Sequence, residues 1–446
     1  MTLCEQMNEQ ELLKLQPWYK PGKWYSTPMT WLPEVRATMP DLPERVHVVD
    51  PTLREAEDNI SVSFTIDQKV EIARKLSDIG VEAVDCGYVG NPGHEETLRK
   101  VASRGVLKNE TSAYLNQMIT DVSKQLTELK KAADRTAELG GTSLTALCVG
   151  PVQSTKQQDQ FVEFARYVID NHPGLKLTPA FALASGGIPF LDRLPTMRAS
   201  FEWQVELAKI ITEAGIERVC IADSLGCASP PAWKYIAERF RKAIGPNKSL
   251  GVHNHNDYGL ATANTIAGVE GGADCIEVVS CGLGARAGNA ALEEVVLALE
   301  ALYGIPTGID LEKLYDLATY VQKVTGSKVQ SWKPVVGDRL WFESSWHTAD
   351  YMQAKRAGKD FFEARISETY NPRIVGQTHV MVFGFAALNP RVIEDFLKHL
   401  KLKADNEIVE KIVQAGLKEI DSRGRQGENR WLAEEEVNEL CRKMAK

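Results

Sequence analysis

Short runs of apolar and β-branched residues alternate with longer amphipathic runs from Arg45 to Tyr303. This rhythm is typical of β-α units, in which parallel strands are joined by helices. The predicted strands are 46–49, 83–86, 106–114, 143–149, 175–182, 218–221, 250–255 and 275–279. The predicted helices that follow them are 65–79, 95–103, 119–139, 156–170, 196–214, 230–243, 261–270 and 290–301.

Eight consecutive strand-helix units over roughly 255 residues predict an α/β fold, a TIM (β/α)8 barrel formed by residues 46–304. An open doubly wound sheet is the alternative architecture. It is disfavoured because no Gly-x-Gly-x-x-Gly follows the first predicted strand.

The regions on both sides of the predicted barrel lack this rhythm. In residues 1–45, six prolines interleave with five tryptophans and tyrosines, which predicts an extended strap whose aromatic side chains pack on the main domain. A lid or a partner-docking arm is the alternative for this strap. Residues 305–446 contain helical patterns at 311–324, 389–400, 406–423 and 433–444. They predict a mostly helical C-terminal extension that completes the site and the oligomer.

Charge and cysteine usage limit the classes of function. The formal net charge of −8 argues against a protein that tracks the phosphates of a nucleic acid. The 8 cysteines are scattered without a Cys-x-x-Cys pair, which fits free thiols in a reducing compartment. No signal peptide and no run of 18 apolar residues is present, so we expect a cytoplasmic protein without a membrane partner.

Two histidines one residue apart end the seventh predicted strand. Alternate residues of a strand share one face, so His253 and His255 point to the same side. Asp50, Arg54 and Glu55 directly follow the first predicted strand. In a parallel barrel, the carboxyl ends of all strands meet at one rim, and only strand 8 separates strands 1 and 7. We therefore expect both groups at the same rim.

Together, two imidazoles and a carboxylate could hold a divalent metal (Mg²⁺, Mn²⁺ or Zn²⁺) and leave coordination positions for the oxygens of a substrate. Arg54 beside such a metal would place a fixed positive charge near a carbonyl oxygen that becomes negative. The alternative for each histidine is a satisfied structural side chain.

Three motifs in this order resemble those of the DRE-TIM metallolyase superfamily, in particular its homocitrate, isopropylmalate and citramalate synthase branch. The 3-hydroxy-3-methylglutaryl-CoA lyases are a more distant relative. The motifs are Asp50-x-Thr52-Leu53-Arg54-Glu55-x-Glu57, His253-Asn254-His255-Asn256-Asp257-x-Gly259-Leu260-Ala261 and Gly282-Leu283-Gly284-Ala285-Arg286-Ala287-Gly288-Asn289-Ala290.

The resemblance implies a Claisen-type condensation of an acyl-CoA, with acetyl-CoA as the expected donor, and a 2-oxo acid to give a 2-hydroxy-dicarboxylate. It implies that Glu55, His253 and His255 ligate the metal and that Arg54 polarises the substrate carbonyl. It also implies a homodimer in which the C-terminal region reaches the neighbouring barrel. Asp85, Ser224 and Asn289 are expected to contact the substrate, and Asn289 could be a further ligand or a loop-capping side chain.

A later segment, Val336-Gly337-Asp338-Arg339-Leu340-Trp341-Phe342-Glu343-Ser344-Ser345-Trp346-His347, resembles the synthases' C-terminal histidine segment. The resemblance implies that His347, supported by Glu343, takes a proton from the acetyl methyl group. The alternative for His347 is a packed histidine within an aromatic cluster.

Several positions depart from the synthase pattern and leave the choice of substrate open. Ala56-Glu57-Asp58 replaces Gly-Glu-Gln, Ala285 replaces a glutamate, and the Gly-Lys-His-Ser-Gly element is absent. Cys281 replaces an asparagine, and the lyases use a cysteine on a nearby loop. A metal-dependent carbon-carbon lyase or aldolase that uses Cys281 is therefore the alternative function, with a buried packing role as the default for this thiol. A barrel that has lost catalysis and acts as a binding partner is the second alternative.

Overall fold

The computed structural model describes residues 15–103, 105–107, 112–117, 125–147, 155–182, 184, 194–359, 362 and 368–445. The chain divides into two compact units. Ser26–Val329 and the described residues before Tyr19 form the first unit, and Tyr19–Tyr25 and Gln330–Lys446 belong to the second. Within the described ranges, no helix has the length and apolar character needed to span a bilayer.

Eight parallel strands close into a barrel in the first unit. Each strand pairs with the next along the chain, and β8 pairs with both β7 and β1. The strands are β1 His47–Asp50, β2 Ala83–Tyr88, β3 Ser112–Gln117, β4 Ser143–Leu147, β5 Lys176–Phe181, β6 Arg218–Asp223, β7 Ser249–Asn254 and β8 Cys275–Glu277. The predicted (β/α)8 barrel is confirmed, and the doubly wound alternative is wrong.

Besides the single turns Pro33–Arg36 and Thr52–Glu55, the described part of the first unit has one longer helix after each strand and another at its end. They are α1 Ile66–Ile79, α2 Pro92–Ser103, α3 Gln125–Glu138, α4 Thr155–Asn171, α5 Leu194–Glu213, α6 Pro230–Ile244, α7 Ala261–Glu270, α8 Leu292–Ala298 and α9 Leu314–Thr325. In α1, Thr65 and Gln68 form a capping box at the start of the helix. Ile72 and Leu76 of this helix are fully buried, as expected for its apolar face.

Predicted and observed bounds differ most where polar residues or tight turns occur. The third strand was expected at 106–114 but is observed at Ser112–Gln117. Positions 108–111, among them the polar Lys108, Asn109 and Glu110, lie outside the described residues. Positions 119–124 of the next predicted helix also lie outside them. The eighth strand ends at Glu277 because a 3-10 turn, Ser280–Gly282, follows.

The second unit has its own apolar core. Its helices are α10 Thr348–Arg356, α11 Pro390–His399, α12 Asn406–Arg425 and α13 Glu434–Met444, in line with the predicted helical extension. The rings of Phe383 and Phe396 meet at 5.1 Å in this core. Fully buried Ile412 and Val437 from α12 and α13 belong to the same cluster. Two short strands, Phe342–Glu343 and Val380–Met381, pair beside it.

The described part of the N-terminal strap is divided between the two units. Trp31 is buried in the first unit, with the guanidinium of Arg36 4.0 Å from its ring centroid. Trp24 instead forms a bridge with Tyr370, and the backbone N–H of Tyr25 donates to Thr369 at 2.9 Å, all within the second unit. The short antiparallel strands Tyr19–Lys20 and Trp24–Tyr25 therefore form a hairpin that belongs to the second unit, where its backbone is hydrogen-bonded to residues near 370.

Candidate active site

Three side chains from the carboxyl end of the barrel converge on one point. Glu55 ends the single helical turn Thr52–Glu55 that follows β1, His253 lies on β7, and His255 lies one residue beyond the end of β7. Nε2 of His253 is 3.3 Å from Nε2 of His255 and 3.4 Å from Oε1 of Glu55. One ligand atom from each residue lies within 4.8 Å of the others, and all three side chains are buried.

The electrostatics of this cluster favour one proton state for each group. Burial raises the pKa of Glu55, but the charges of Arg54, His253 and His255 outweigh it and lower this pKa to about 2. Burial and the neighbouring His253 lower the pKa of His255 to about 4. Glu55 is therefore a carboxylate and His255 a neutral imidazole at pH 7. These are the protonation states in which both side chains can donate electron pairs to a metal.

The donor set fits a divalent metal ion. Nδ1 of His253 lies 3.1 Å from Oε2 of Glu277, which leaves Nε2 of His253 as the nitrogen that faces Glu55 and His255. Burial lowers the pKa of His253, but Glu277 and Glu55 outweigh it and raise this pKa. Imidazole nitrogens suit Zn²⁺, and carboxylate oxygens suit Mg²⁺ and Mn²⁺. A set of two imidazole nitrogens and one carboxylate oxygen can therefore bind any of these three ions.

Arg54 is fixed beside the cluster by two carboxylates. Its Nε donates to Oδ2 of Asp85 at 2.5 Å, and its Nη1 donates to Oε1 of Glu55 at 2.6 Å. Burial lowers the pKa of Arg54, but the charges of Glu55 and Asp85 outweigh it and raise this pKa above its ordinary value. Among the described residues, no hydrogen bond from Nη2 of Arg54 is formed. This amino group can therefore donate to a ligand.

The predicted substrate contacts have different positions in the structure. Asp85 is fully buried, accepts from Nε of Arg54 and from the backbone N–H of Gly87, and so orients the guanidinium of Arg54. Nδ2 of Asn289 donates to Oε2 of Glu55 at 3.0 Å. Its Oδ1 is buried without a hydrogen-bond donor among the described residues and is available as a further ligand atom.

Ser224 lies at the rim, where one arginine joins three loops. Arg286 donates from Nε and Nη2 to the two carboxylate oxygens of Asp257, at 2.7 and 2.9 Å. Nη2 also donates to the carbonyl oxygen of Ser224 at 2.8 Å. A bidentate arginine-carboxylate pair has a defined geometry, so these contacts hold the glycine-rich loop against the loops that follow β6 and β7.

The thiol of Cys281 contacts a helix of the barrel. Its Sγ lies 3.7 Å from the carbonyl oxygen of Ala318 on α9, and its backbone N–H donates to Glu293 at 3.1 Å. Cys281 is 8% exposed and has φ of 62°. This environment supports the packing role for its side chain.

In the second unit, the expected support of His347 by Glu343 is not formed. Glu343 accepts a hydrogen bond from the hydroxyl of Ser345, because the two side chains face each other across a tight bend. Nδ1 of His347 lies 3.6 Å from Oδ2 of Asp350 instead, and half of the His347 side chain is exposed.

A histidine-carboxylate pair that the sequence analysis missed lies near Glu343. Nε2 of His379 contacts Oε1 of Glu368, which also accepts from the hydroxyl of Tyr351 at 3.1 Å. Burial and the charge of Glu368 raise the pKa of Glu343. No local motif connects these residues, since 17 positions separate Tyr351 from Glu368.

Three residues near the metal cluster were also missed. Glu277 lies beside His253, and Tyr88 and Asp58 contact Arg54. Only Glu277 could have been found from the sequence, because it is the single carboxylate in the apolar eighth strand, which follows the strand that contains His253. The contacts of Tyr88 and Asp58 depend on the path of the loops.

Known proteins resemble this chain over most of its length. The HMGL-like family model matches residues 45–321, more than half of the chain. A provisional (R)-citramalate synthase of Archaeoglobus fulgidus is 33% identical over 85% of this chain and 72% of the relative. A homocitrate synthase of Methanopyrus kandleri is 30% identical over 84% of this chain and 87% of the relative.

A solved structure supports the fold. The hydroxymethylglutaryl-CoA lyase of Pseudomonas aeruginosa matches with a TM-score of 0.52 and 18% identity, over 65% of this chain and 95% of that chain. At this identity the similarity concerns the fold alone. The family match over residues 45–321, together with relatives above 30% identity, shows that the chain belongs to the HMGL-like family.

Proposed function

We propose that this protein catalyses the condensation of an acyl-CoA, most readily acetyl-CoA, with a 2-oxo acid to give a 2-hydroxy-dicarboxylate. The proposal makes it an acyltransferase of the alkylmalate and homocitrate synthase type. Relatives named as citramalate, isopropylmalate and homocitrate synthases align with most of this chain, and this similarity supports the proposed reaction class. A divalent metal bound by Glu55, His253 and His255 would supply a Lewis acid for the oxygens of the 2-oxo acid.

The observation that carries this proposal is the position of Arg54. Its guanidinium is held by Asp85 and Glu55 at the edge of the three-ligand cluster, while its Nη2 forms no hydrogen bond with a described residue and can donate to a ligand. When the carbonyl carbon of the 2-oxo acid is attacked, negative charge develops on its oxygen. A fixed guanidinium beside that oxygen stabilises the charge without reorganisation.

The atoms of the proposed reaction balance without a redox partner. A base removes one proton from the methyl group of acetyl-CoA, and the resulting carbanion carbon forms a bond with the carbonyl carbon of the 2-oxo acid. The carbonyl oxygen takes up a proton and becomes the hydroxyl group. Water then hydrolyses the thioester and releases the thiol of CoA. We propose His347 as the base, with Asp350 as its neighbouring carboxylate in place of Glu343.

The two alternatives have less support. A lyase of the type considered above would need a free thiol at the site, whereas Sγ of Cys281 contacts the carbonyl oxygen of Ala318. A barrel without catalysis has no need for a buried carboxylate and two buried imidazoles that converge, or for an arginine fixed beside them.

Thiol release tests the proposed function. The purified protein is incubated with acetyl-CoA, Mg²⁺ or Mn²⁺ and a panel of 2-oxo acids, and free CoA is followed with a thiol reagent. We expect release that depends on both the metal and one class of 2-oxo acid, and that is lost in Glu55→Gln. Absence of release with every 2-oxo acid, from a preparation that binds Mn²⁺, would refute the condensation.

We further propose that the native metal is Mg²⁺, Mn²⁺ or Zn²⁺, that the protein forms a homodimer and that it is located in the cytoplasm. Metal analysis of the purified protein identifies the ion. Sedimentation equilibrium measures the oligomer. If His347 acts in the neighbouring barrel, mixing inactive Glu55→Gln chains with His347→Ala chains restores part of the activity, whereas mixing restores none if each chain works alone.

A further inference from the structure

Tyr88 contacts the same guanidinium nitrogen of Arg54 that donates to Glu55. Nη1 of Arg54 donates to the hydroxyl oxygen of Tyr88 at 3.3 Å, and the guanidinium lies 5.5 Å from the centroid of the Tyr88 ring. The Tyr88 hydroxyl donates to Oδ2 of Asp58 at 3.1 Å. Tyr88 therefore forms one wall of the pocket that holds the guanidinium.

This position of Tyr88 is not the one that a regular strand would give. Asp85 and Tyr88 are three residues apart on β2, so strict alternation would place them on opposite faces. Both contact Arg54, and the pairing of β2 with β3 shifts register between them. Gly87 has φ of 125°, which a glycine adopts without strain. The irregularity turns Tyr88 toward Arg54, as bulges do near functional sites.

A histidine on α2 stabilises this irregular segment. Nδ1 of His94 accepts from the backbone N–H of Tyr88 at 2.9 Å, and His94 is 7% exposed. A Cβ atom at Gly87 would lie 2.2 Å from Cγ of His94, so the imidazole packs directly on the glycine backbone. Because an amide N–H can only donate, Nδ1 carries no proton and Nε2 carries the ring proton.

The other side of the His94 ring is also fixed. Nε2 of His94 lies 3.1 Å from Oε2 of Glu57, the same oxygen that accepts from Nζ of Lys69 at 2.5 Å. Oε1 of Glu57 accepts from the backbone N–H of Phe64 at 3.0 Å. Lys69 on α1 is 4% exposed, so its ammonium group and the carboxylate of Glu57 form a buried ion pair that fixes the position of Glu57.

We propose that His94 and Glu57 are positioning residues for the reaction, which hold Tyr88 and through it the guanidinium of Arg54. This inference rests on the proposed function, since Arg54 is assigned there to the substrate oxygen. The contacts run from Lys69 through Glu57 and His94 to the backbone of Tyr88 and then to Arg54. Neither His94 nor Glu57 belongs to the set that binds the metal.

Three substitutions of His94 separate its two hydrogen bonds. The amide oxygen of an asparagine can take the place of Nδ1 and accept from Tyr88, whereas a glutamine reaches the position of Nε2 and keeps only the contact with Glu57. For His94→Gln and His94→Ala we expect kcat/KM for the 2-oxo acid to fall about tenfold or more, because the misplaced guanidinium stabilises the oxyanion less. His94→Asn should recover most of this loss.

The KM for acetyl-CoA and the Kd for Mn²⁺, measured by electron paramagnetic resonance, should stay within about twofold of the wild type, since the ligands themselves are unchanged. Tyr88→Phe provides a second variant that removes a hydroxyl group without an expected change in packing. His172→Ala and Tyr167→Phe are matched controls, because both side chains contact Asp134 on the outer helices of the barrel. Both controls should retain wild-type kinetics.

A second readout separates this inference from the proposed function. Phenylglyoxal modifies accessible guanidinium groups, and peptide mass spectrometry gives the rate at Arg54. We expect this rate to rise at least about threefold in His94→Ala and to return toward wild type in His94→Asn. If the wild type releases no thiol, the proposed function fails while this readout still tests the positioning. Equal kinetics and equal modification rates in all three His94 variants and the wild type would overturn the inference.

Discussion

Nε2 of His253 and Nε2 of His255 lie 3.3 Å apart, so the two imidazoles can share one cation but cannot both be charged. Removing one of them should abolish the metal site. We expect His255→Ala to weaken Mn²⁺ binding by more than the 10–100-fold that changes around a ligand typically cause. Titration of Mn²⁺ followed by electron paramagnetic resonance measures the change. His172→Ala is the control, and unchanged affinity in His255→Ala would contradict this ligand assignment.

Glu277 is expected to act on the metal through His253. Its Oε2 lies 3.1 Å from Nδ1 of His253, and this contact holds the ring proton on Nδ1. We predict that Glu277→Gln raises the Kd for Mn²⁺ about 10–100-fold while the fold is retained. Glu71→Gln is the matched control, because Glu71 pairs with Arg74 at the surface. An equal Kd in both variants would show that Glu277 has no influence on the ligand.

Arg54→Lys tests the guanidinium without removing a positive charge. A lysine cannot donate to Asp85 and Glu55 at once and keep an amino group for the substrate, as Arg54 can. We expect kcat/KM for the 2-oxo acid to fall about 10²–10³-fold, comparable to the loss of one oxyanion donor. Mn²⁺ affinity should change little. A variant with near wild-type kcat/KM would assign the oxyanion to another group.

The barrel and its metal cluster could be predicted because both follow from local patterns. Two histidines at alternate positions of one strand share a face, and Glu55 directly follows the end of the first strand. The closed order of the strands then brings both to one rim. These relationships need only periodicity and topology, which a sequence contains.

The contacts around the cluster could not be predicted in this way. Tyr88 reaches Arg54 only because β2 is irregular at Gly87, which breaks the alternation that sequence reasoning assumes. In the second unit, a different pair was also missed: His347 and Glu343 are close in sequence, but Glu343 accepts from the hydroxyl of Ser345. Side-chain choices between several nearby partners depend on the loop path, and periodicity does not specify that path.

Packing of the strap on the barrel can be tested at Gly304. A Cβ atom there would lie 2.5 Å from Cη2 of Trp31. Gly304→Ala should lower the free energy of unfolding by about 1–2 kcal/mol for a side chain at positive φ and by a further ~1–3 kcal/mol for the overpacking. In Gly326→Ala, φ is 69° and nothing lies within 4 Å, so only the first cost applies. Equal urea midpoints for both variants would mean that Trp31 moves aside freely.

At the amino end of the barrel, Glu82 should make stability depend on acid pH. Its Oε1 accepts from Nη2 of Arg218 at 3.1 Å, and its Oε2 contacts Nδ1 of His47. Burial raises the pKa of Glu82, but the hydrogen bond to His47 and the charge of Arg218 outweigh it and lower this pKa from 4.5 to about 2.

Because the folded pKa of Glu82 is depressed, its stabilisation is fully present above pH 4.5 and is lost as the pH falls toward about 2. We expect Glu82→Gln to lower the free energy of unfolding by about 2 kcal/mol at pH 7. The difference from wild type should shrink steadily between pH 4.5 and pH 3. Urea titrations at pH 7, 5, 4 and 3 measure it. Glu202→Gln, which breaks an exposed pair with Arg239, should cost less than about 1 kcal/mol. A wild-type advantage that stays constant down to pH 3 would contradict the assignment to Glu82.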